Sequence, residues 1–416
     1  MSILNRRSFL GAAAAGAWLA NAAARGDPPP AGGGGAPVAG ARPITPEEHA
    51  ARVAKLQDLM QRDKVAALLV EAGTSLEYFT GIRWWRSERT TAALIPASGQ
   101  AIVVTPFFEV PSVEESLRIK ADVRPWHEDQ SPFALIADAL NSRAAPGPLA
   151  IEWTTRFFVV DHTRAVPGFG RDVVSGEALV NACRMIKSPA ELALMQASND
   201  ITINAIRKTR SQVAPGMHGT DIMKILYQAI ESQGGHEPFA LVLVNEASAY
   251  PHGTSQAQVV REGSVVLIDT GSRYHGYASD ISRTWVHGEP TKRQREVWDT
   301  VKRGQEICLE TAKVGAPVGD VDVAVRNHYE ALGWSKDYGL PGTSHRTGHG
   351  IGMDGHEPPN LMRADRTPLQ VGMCFSDEPG IYIPGEFGVR MEDCWHMTEQ
   401  GPRLFTPLAK SIDDPI

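Results

Sequence analysis

The chain has 416 residues, a formal net charge of −7 and 42% hydrophobic residues. Its length exceeds the roughly 100–200 residues usual for one domain, which predicts two domains. The composition and the mean hydropathy of −0.21 are those of a globular protein, not of a disordered or membrane-embedded chain. The negative net charge offers no basic footprint, so we expect no nucleic-acid partner. The four cysteines form no CxxC pair, which argues against a zinc ribbon or a dense disulfide framework.

The first residues are typical of a bacterial export signal. Arg6 and Arg7 are followed by a Phe-Leu pair, a weakly apolar run over 11–20 and the small-residue pattern Ala22–Ala24. This pattern resembles a twin-arginine signal peptide, with an ordinary Sec signal or a disordered tail as the alternative. The apolar run is shorter than the roughly 20 residues that cross a bilayer, so we expect no stable membrane anchor. We predict a signal peptide at 1–25 and a periplasmic or secreted mature protein.

A Pro/Gly-rich linker is predicted at 26–43, because this tract has little apolar surface to bury. Thr45 and Glu48 then form a capping-box pattern at the start of a helix. From 44 to 180, helical stretches alternate with short apolar runs, which predicts an α/β domain. It contains no cluster of metal-type residues. We interpret the unusual pair Trp84-Trp85 as core or subunit-contact aromatics in preference to substrate contacts.

A second domain is predicted over 184–416. Ser188 as N-cap and Pro189 in the first turn begin a long helix. The similar stretches 214–221 and 315–322 each separate two helical segments, and apolar strand-like runs follow each of them. This pattern predicts an internal duplication of an αα-β-β half, which brings two sets of side chains to one shared sheet face.

The first half of this domain contributes two carboxylates. Asp269 ends the apolar run 265–268, and Asp280 follows eleven residues later. A hairpin that turns through 272–276 would place the two side chains next to each other. Uncompensated carboxylates repel in an apolar setting, so this arrangement requires a cation or a shared proton.

The second half contributes three further candidates, His349, Glu378 and Glu392. Taken alone, an Asp at a strand end is more often a cap, and a histidine in a glycine-rich loop is usually structural. Together, four carboxylates and one imidazole form an oxygen-rich set suited to two divalent ions roughly 3.5–4 Å apart. The four negative charges balance two dications, whose field would bring the pKa of a bridging water toward neutrality.

The ordered motifs that carry these residues are DTG, SDISRT, HRTGHGIGMDGHE, DEPGIY and VRMED. They resemble metallopeptidase family M24, which includes Xaa-Pro dipeptidase (prolidase), Xaa-Pro aminopeptidase and methionine aminopeptidase. The resemblance covers 186–408, and 44–180 resembles a creatinase-type N-terminal domain. It implies an α/β protein in which that domain precedes a pita-bread catalytic domain, with pseudo-twofold duplicated halves around a curved antiparallel sheet. We also expect a homodimer.

The resemblance also implies roles for particular residues. The metal ligands it implies are Asp269, Asp280, His349, Glu378 and Glu392. Within this set Asp280 and Glu392 bridge both ions, and Glu378 is also the general base that passes a proton to the departing nitrogen. His356 matches a histidine that stabilises the oxyanion of the tetrahedral intermediate.

Three further residues match substrate contacts of the family, namely His252, His345 and Arg390, and His252 is also a candidate catalytic residue. For both histidines the alternative is a structural loop residue. For Arg390 the alternative is a role in orienting Glu392. The chain departs from the usual pattern at Asn245, where glycine is common, which affects the shape of the leaving-group pocket. It also departs at Cys394, which we interpret as a buried inert thiol.

The function implied is hydrolysis of the bond before proline in short peptides, with two divalent metal ions as cofactors. Mn²⁺ is preferred, and Zn²⁺, Co²⁺ and Fe²⁺ are alternatives. We favour a dipeptidase over an aminopeptidase. The main alternative is a family relative that acts on a non-peptide small molecule, such as a lyase or amidine hydrolase, because fold does not dictate reaction. A metal-free binding protein is disfavoured because the chain retains all five candidate ligands.

Overall fold

The computed structural model describes residues 41–256 and 258–416. The predicted signal peptide at 1–25 and residues 26–40 of the predicted linker lie outside these ranges. Among the helices that are described, none combines the length and the apolar character needed to span a membrane. All four cysteines are buried and free of disulfide bonds.

The N-terminal part is a mixed sheet with helices packed on it. Its helices are α1 (Pro46–Arg62), α2 (Thr74–Thr80), α3 (Val110–Ser116), α4 (Pro132–Arg143), α5 (Phe157–Arg164) and α6 (Glu177–Arg184). Its strands are β1 (Ala67–Glu71), β2 (Ala92–Pro96), β3 (Ala101–Pro106), β4 (Ala121–Trp126), β5 (Leu149–Ile151) and β6 (Val173–Ser175). The strand order is β4-β3-β2-β1-β5-β6. The capping box predicted for α1 at Thr45 and Glu48 is confirmed, and so is the α/β character of this region.

The C-terminal part contains two larger antiparallel sheets flanked by two helix pairs. Its helices are α7 (Pro189–Arg210), α8 (Gly219–Glu231), α9 (Lys292–Thr311) and α10 (Gly319–Ala331). The strands of its first half are β7 (His236–Val244), β8 (Ser264–Tyr274), β9 (Tyr277–Ala278) and β10 (Ile281–His287). Those of its second half are β11 (Gly348–Gly350), β12 (Glu357–Leu361), β13 (Cys374–Asp377), β14 (Gly380–Tyr382), β15 (Gly388–Arg390), β16 (Asp393–Thr398) and β17 (Gly401–Leu404). One sheet has the order β10-β8-β7, the other β12-β11-β13-β16-β17, and β14 pairs with β15.

The two halves repeat the same local construction, as the sequence predicted. The turn between α7 and α8 and the turn between α9 and α10 each contain a glycine at positive φ, Gly216 and Gly315. Gly216 N donates to the carbonyl of Val260 at 2.9 Å, and Gly315 N donates to that of Leu369 at 2.8 Å. In each half the turn therefore hydrogen-bonds to a segment downstream of the second helix. The equivalence supports a duplicated αα-β-β unit.

One apolar core joins the N-terminal part to the catalytic sheets. Leu56 of α1 and Phe79 of α2 belong to the same buried cluster as Tyr277 and Ile351. Residues of α2 lie close to the loop that follows β11, where Thr74 Oγ1 is 2.5 Å from Asp354 Oδ1. Of the predicted aromatic pair, Trp84 packs against this core. The ring of Trp85 stacks on the ring of Trp84 and is 68% exposed.

Candidate metal centre and active site

Asp269 and Asp280 lie on adjacent strands of the first half. Asp269 is in the middle of β8 and faces Ser282 of β10 in the strand register. Asp280 lies in the break between β9 and β10. A Cβ on Gly271 would lie 1.9 Å from the carbonyl oxygen of Ser279, so only glycine lets this break fold across β8. The predicted hairpin is present, with its tightest pairing between Tyr274 and Tyr277.

The second half brings His349, Glu378 and Glu392 to the same place. His349 is the middle residue of β11, where the register with β12 shifts. Glu378 follows β13, and Glu392 precedes β16. Glu392 also joins the two halves, because its backbone forms a two-way antiparallel bridge with Ser282, with hydrogen bonds of 3.0 and 3.2 Å.

The five predicted ligands converge in one cluster, which we call the metal-ligand cluster: Asp269, Asp280, His349, Glu378 and Glu392. Ligand atoms of Asp269, Asp280 and Glu392 lie within 4.8 Å of one another, as do those of His349, Glu378 and Glu392. The His349 Nε2 atom is 3.8 Å from Asp280 Oδ2, 3.6 Å from Glu378 Oε1 and 3.7 Å from Glu392 Oε1. Two atoms that each lie about 2.1 Å from a shared ion are themselves about 3–4 Å apart. These separations therefore suit atoms that share an ion.

The electrostatics of the cluster call for positive charge. Three buried oxygens, Asp269 Oδ1, Asp280 Oδ1 and Glu392 Oε1, have no hydrogen-bond partner among the described residues. Burial raises the pKa values of Asp280 and Glu392 well above their usual range, and the neighbouring carboxylates add to the shift. Burial also raises the pKa of Glu378 to about 7, although Arg390 opposes the shift. Unpartnered buried oxygens that repel one another fit divalent cations.

The orientation of His349 suits a metal ligand. Its Nδ1 atom lies 3.1 Å from the carbonyl oxygen of Gly350. A carbonyl oxygen only accepts hydrogen bonds, so Nδ1 carries the proton and Nε2 presents its lone pair to the carboxylates. Burial lowers the pKa of His349 well below its ordinary value, so the ring is neutral, as a ligand must be.

Arg390 connects the cluster to the residues around it. Its guanidinium donates to Asp269 Oδ2 at 2.6 Å, to Ser282 Oγ at 3.1 Å and to the Tyr382 hydroxyl at 2.9 Å. The Ser282 hydroxyl in turn donates to Glu392 Oε2 at 2.9 Å. Arg390 thus holds one predicted ligand directly and a second through Ser282. This contact pattern agrees with the orienting alternative and leaves substrate contact untested.

The three other histidines of the predicted site lie around the metal-ligand cluster and differ in their exposure. His345 is half-buried, with Nε2 2.6 Å from the Tyr382 hydroxyl and Nδ1 3.8 Å from Glu378 Oε2. His356 is exposed, and its ring centroid is 4.1 Å from that of His349. His252 is exposed on a loop that Arg390 reaches through the carbonyl of Pro251, at 3.2 Å. All the predicted site residues therefore lie in or beside one region.

The two departures from the family pattern have local explanations. Asn245 has a φ of 52°, a conformation that glycine and asparagine tolerate best. Its side chain accepts a hydrogen bond from Val265 N at 3.0 Å and donates one to Ser264 Oγ at 3.1 Å. The Cys394 thiol is fully buried and donates to the carbonyl of Asp280 at 3.2 Å. Burial raises its pKa well above the usual range, which agrees with the interpretation of Cys394 as a buried inert thiol.

Comparison with known proteins gives the family. Residues 193–399 match the model of metallopeptidase family M24, and residues 52–186 match that of the creatinase/prolidase N-terminal domain. The chain is 31% identical over 393 residues to an uncharacterized peptidase of Schizosaccharomyces pombe, covering 89% of this chain and 84% of the relative. The chain belongs to metallopeptidase family M24. It is also 30% identical over 368 residues to a Xaa-Pro dipeptidase of Lactobacillus helveticus, covering 86% of this chain and 97% of that protein.

Solved structures of M24 peptidases share the fold. The crystal structure of dipeptidase PepE from Mycobacterium ulcerans superimposes with a TM-score of 0.79 at 28% identity, covering 88% of this chain and 97% of the other. The predicted fold class, a creatinase-type N-terminal domain before a pita-bread catalytic domain, is confirmed. The chain is a metallopeptidase, as predicted.

Sequence reasoning missed two residues of this M24 site. Ser282 connects Arg390 to Glu392, and Tyr382 connects Arg390 to His345. Both lie inside the motifs SDISRT and DEPGIY. Strand alternation places Ser282 on the opposite face from Ile281 and so indicates which way it points, but it does not identify the partner of its hydroxyl.

Proposed function

We propose that this metallopeptidase hydrolyses the bond before proline in short peptides, with two divalent ions held by the metal-ligand cluster. The observation that carries the proposal is the surplus of unpartnered carboxylate oxygens in a buried site where, among the described arginine and lysine side chains, Arg390 forms the one salt bridge. The similarity to a protein named Xaa-Pro dipeptidase supports the substrate class. Mn²⁺ is the preferred ion because the set is rich in oxygen, with Zn²⁺, Co²⁺ and Fe²⁺ as alternatives.

When bound, the ions would lower the pKa of a shared water and polarise the carbonyl of the scissile bond. We assign Glu378 as the general base, and the 16% exposure of its carboxylate at the edge of the cluster supports this role. It would accept a proton and deliver it to the departing nitrogen. The exposed ring of His356 would donate a hydrogen bond to the oxyanion.

Substrate recognition would involve His252, His345 and Arg390 around the same site. The guanidinium of Arg390 is the cation nearest to Asp269, at 2.6 Å, and a guanidinium is well suited to the carboxylate of a short peptide. A dipeptide places its C-terminal carboxylate directly on the proline after the scissile bond. The similarity to a protein named Xaa-Pro dipeptidase supports a dipeptidase in preference to an aminopeptidase.

The test compares peptides of two lengths. Purified protein loaded with Mn²⁺ is assayed on Gly-Pro, on Xaa-Pro-Xaa tripeptides and on Gly-Gly as a control without proline. We expect Gly-Pro to be cleaved fastest and Gly-Gly not to be cleaved, with activity lost after chelation and restored by Mn²⁺. Faster cleavage of the tripeptides would assign the enzyme as an aminopeptidase. Failure to cleave every proline peptide with two ions bound would overturn the proposal.

We also propose export by the twin-arginine route, from the pattern at 1–25. Exchange of Arg6 and Arg7 for lysine should trap the precursor in the cytoplasm, whereas unaltered export would indicate the Sec route. We likewise propose that the protein forms a homodimer and that its domains span 44–180 and 184–416.

A further inference from the structure

His356 lies on a short loop without regular structure, residues 351–356, which we call the His356 loop. The loop begins well fixed, because Ile351 N donates to the carbonyl of Cys374 at 3.1 Å and Ala278 N donates to that of Gly352 at 2.8 Å. In the described parts of the chain, no hydrogen bond joins the His356 ring to another residue. The position of this ring therefore depends on what holds the end of the loop.

A buried network of charges holds that end. Glu357, the first residue of β12, accepts from Arg184 Nη2 at 2.5 Å and from Lys187 Nζ at 3.1 Å. Asp354, within the loop, accepts from the same Arg184 nitrogen at 2.8 Å, and its backbone N–H donates to Glu357 Oε1 at 3.0 Å. Side chains of Arg184, Lys187 and Glu357 are 9%, 2% and 6% exposed. Two cations thus neutralise two carboxylates on either side of His356.

The N-terminal part completes the network. Thr74, the first residue of α2, donates its hydroxyl proton to Asp354 Oδ1 at 2.5 Å. Ser75 Oγ accepts from Arg184 Nη1 at 3.1 Å and donates to Glu152 at 3.2 Å. Residues near position 74 therefore contact a loop that lies 280 residues later in the chain. The glycine before this helix, Gly73, has a φ of 140°, a conformation that residues with a side chain rarely adopt.

We propose that Thr74 and Asp354 are positioning residues that hold His356 in its reactive place, so that the N-terminal domain takes part in catalysis through the His356 loop. This inference rests on the oxyanion role proposed above for His356. A donor acts on a developing oxyanion only within about 2.7–3.1 Å, so small shifts of the loop would weaken its effect. Loss of an outer contact of this kind typically costs about 10-fold to 100-fold.

The first experiment substitutes Thr74 in the metal-loaded enzyme. Thr74→Val keeps the shape and removes the hydroxyl donor, and we expect kcat on Gly-Pro to fall by about 10-fold, with KM and metal content unchanged. Thr74→Ser keeps the donor and should retain normal kcat. Asp354→Asn removes the charge that Arg184 contacts and serves as an independent second variant with the same expected loss.

Tyr78→Phe is the matched control on the same helix. The Tyr78 hydroxyl donates a buried hydrogen bond to the carbonyl of Cys183 at 2.9 Å, and among the described residues it forms no hydrogen bond with the His356 loop. Its loss should lower the melting temperature and leave kcat within about twofold, because the lost hydrogen bond joins two helices of the N-terminal part. An equal fall in kcat for Tyr78→Phe and Thr74→Val would overturn the proposal in favour of general destabilisation.

The second experiment repeats Thr74→Val in a His356→Ala background. If Thr74 acts through His356, the substitution should have no further effect on kcat there, because the residue that it positions is gone. A full 10-fold loss in that background, or normal kcat for Thr74→Val alone, would overturn the inference. If His356→Ala itself has normal kcat, the assignment under the proposed function fails instead, so the two failures are distinct.

Discussion

Two groups of acidic residues flank His356, and their charges are compensated in different ways. In the network behind the His356 loop, burial alone would raise the pKa of Glu357, but Arg184 and Lys187 outweigh it and lower the pKa to about 2. In the metal-ligand cluster, burial raises the pKa of Glu378 to about 7, and Arg390 only moderates the shift. The pKa of a glutamate is thus lowered in one group and raised in the other.

This difference in pKa shows which carboxylates the protein neutralises with its own basic side chains. The salt bridges around Glu357 pair two acidic residues, Asp354 and Glu357, with two basic residues, Arg184 and Lys187. The metal-ligand cluster has four carboxylates and contacts one arginine, and three of its buried oxygens have no partner among the described residues. Substitutions that alter one group at a time test this difference.

The largest effect is expected from the proposed bridging ligands. Asp280→Ala and Glu392→Ala each remove a carboxylate that would contact both ions. Activity should fall by more than the roughly 100-fold typical of outer residues, and the metal content should fall with it. Elemental analysis together with kcat on Gly-Pro provides the test. Either variant with full metal content and normal kcat would remove that residue from the ligand set.

His356→Ala should have a smaller and different effect. It removes a hydrogen-bond donor and no metal ligand, so kcat should fall by about 10²–10³ while the metal content stays constant. The measurement pairs steady-state kinetics with metal analysis on one preparation. Loss of metal from this variant would mean that His356 acts as a ligand, a geometry that its cluster with Asp280 and His349 also allows.

The smallest effect concerns stability against acid. The pKa of Glu357 is depressed from its ordinary 4.5 to about 2, so its contribution is fully present above 4.5 and is lost as the pH falls toward 2. The shift corresponds to about 3 kcal/mol of unfolding free energy. Glu357→Gln should therefore be less stable than the parent at pH 7, and the gap should narrow between pH 4.5 and pH 2. Denaturant unfolding across this range measures it, and a gap independent of pH would show that the charge of Glu357 is unimportant.

Much of the site could be predicted because its residues lie in short motifs with fixed local geometry. Asp269 directly follows the apolar run 265–268 within β8. His349 lies between glycines that permit close strands, since a Cβ on Gly348 would lie 2.2 Å from the carbonyl oxygen of Ser376. The contact between Thr74 and Asp354 could not be predicted in this way. It spans two domains, and neither periodicity nor capping patterns encode which surface of one domain packs on the other.

The same distinction between contacts that are close in sequence and contacts between distant segments applies within each domain. The capping boxes at Thr45 and Ser188 were predictable because all their contacts lie within four residues. The hydroxyls of Ser282 and Tyr382 were not assigned, since their partners on other strands depend on tertiary register. Asn245 is intermediate, because the sequence shows its departure from glycine but not its positive φ.

The most direct test of the central claim is the number of ions that the metal-ligand cluster holds. The purified chain is loaded with excess Mn²⁺, freed of unbound metal and analysed for metal per chain, with Asp280→Ala as the matched control. We expect about two ions per chain in the parent, because Arg390 offsets one of the four carboxylates and the three remaining negative charges exceed what one dication can balance. One ion or fewer per fully loaded chain would contradict a dinuclear centre.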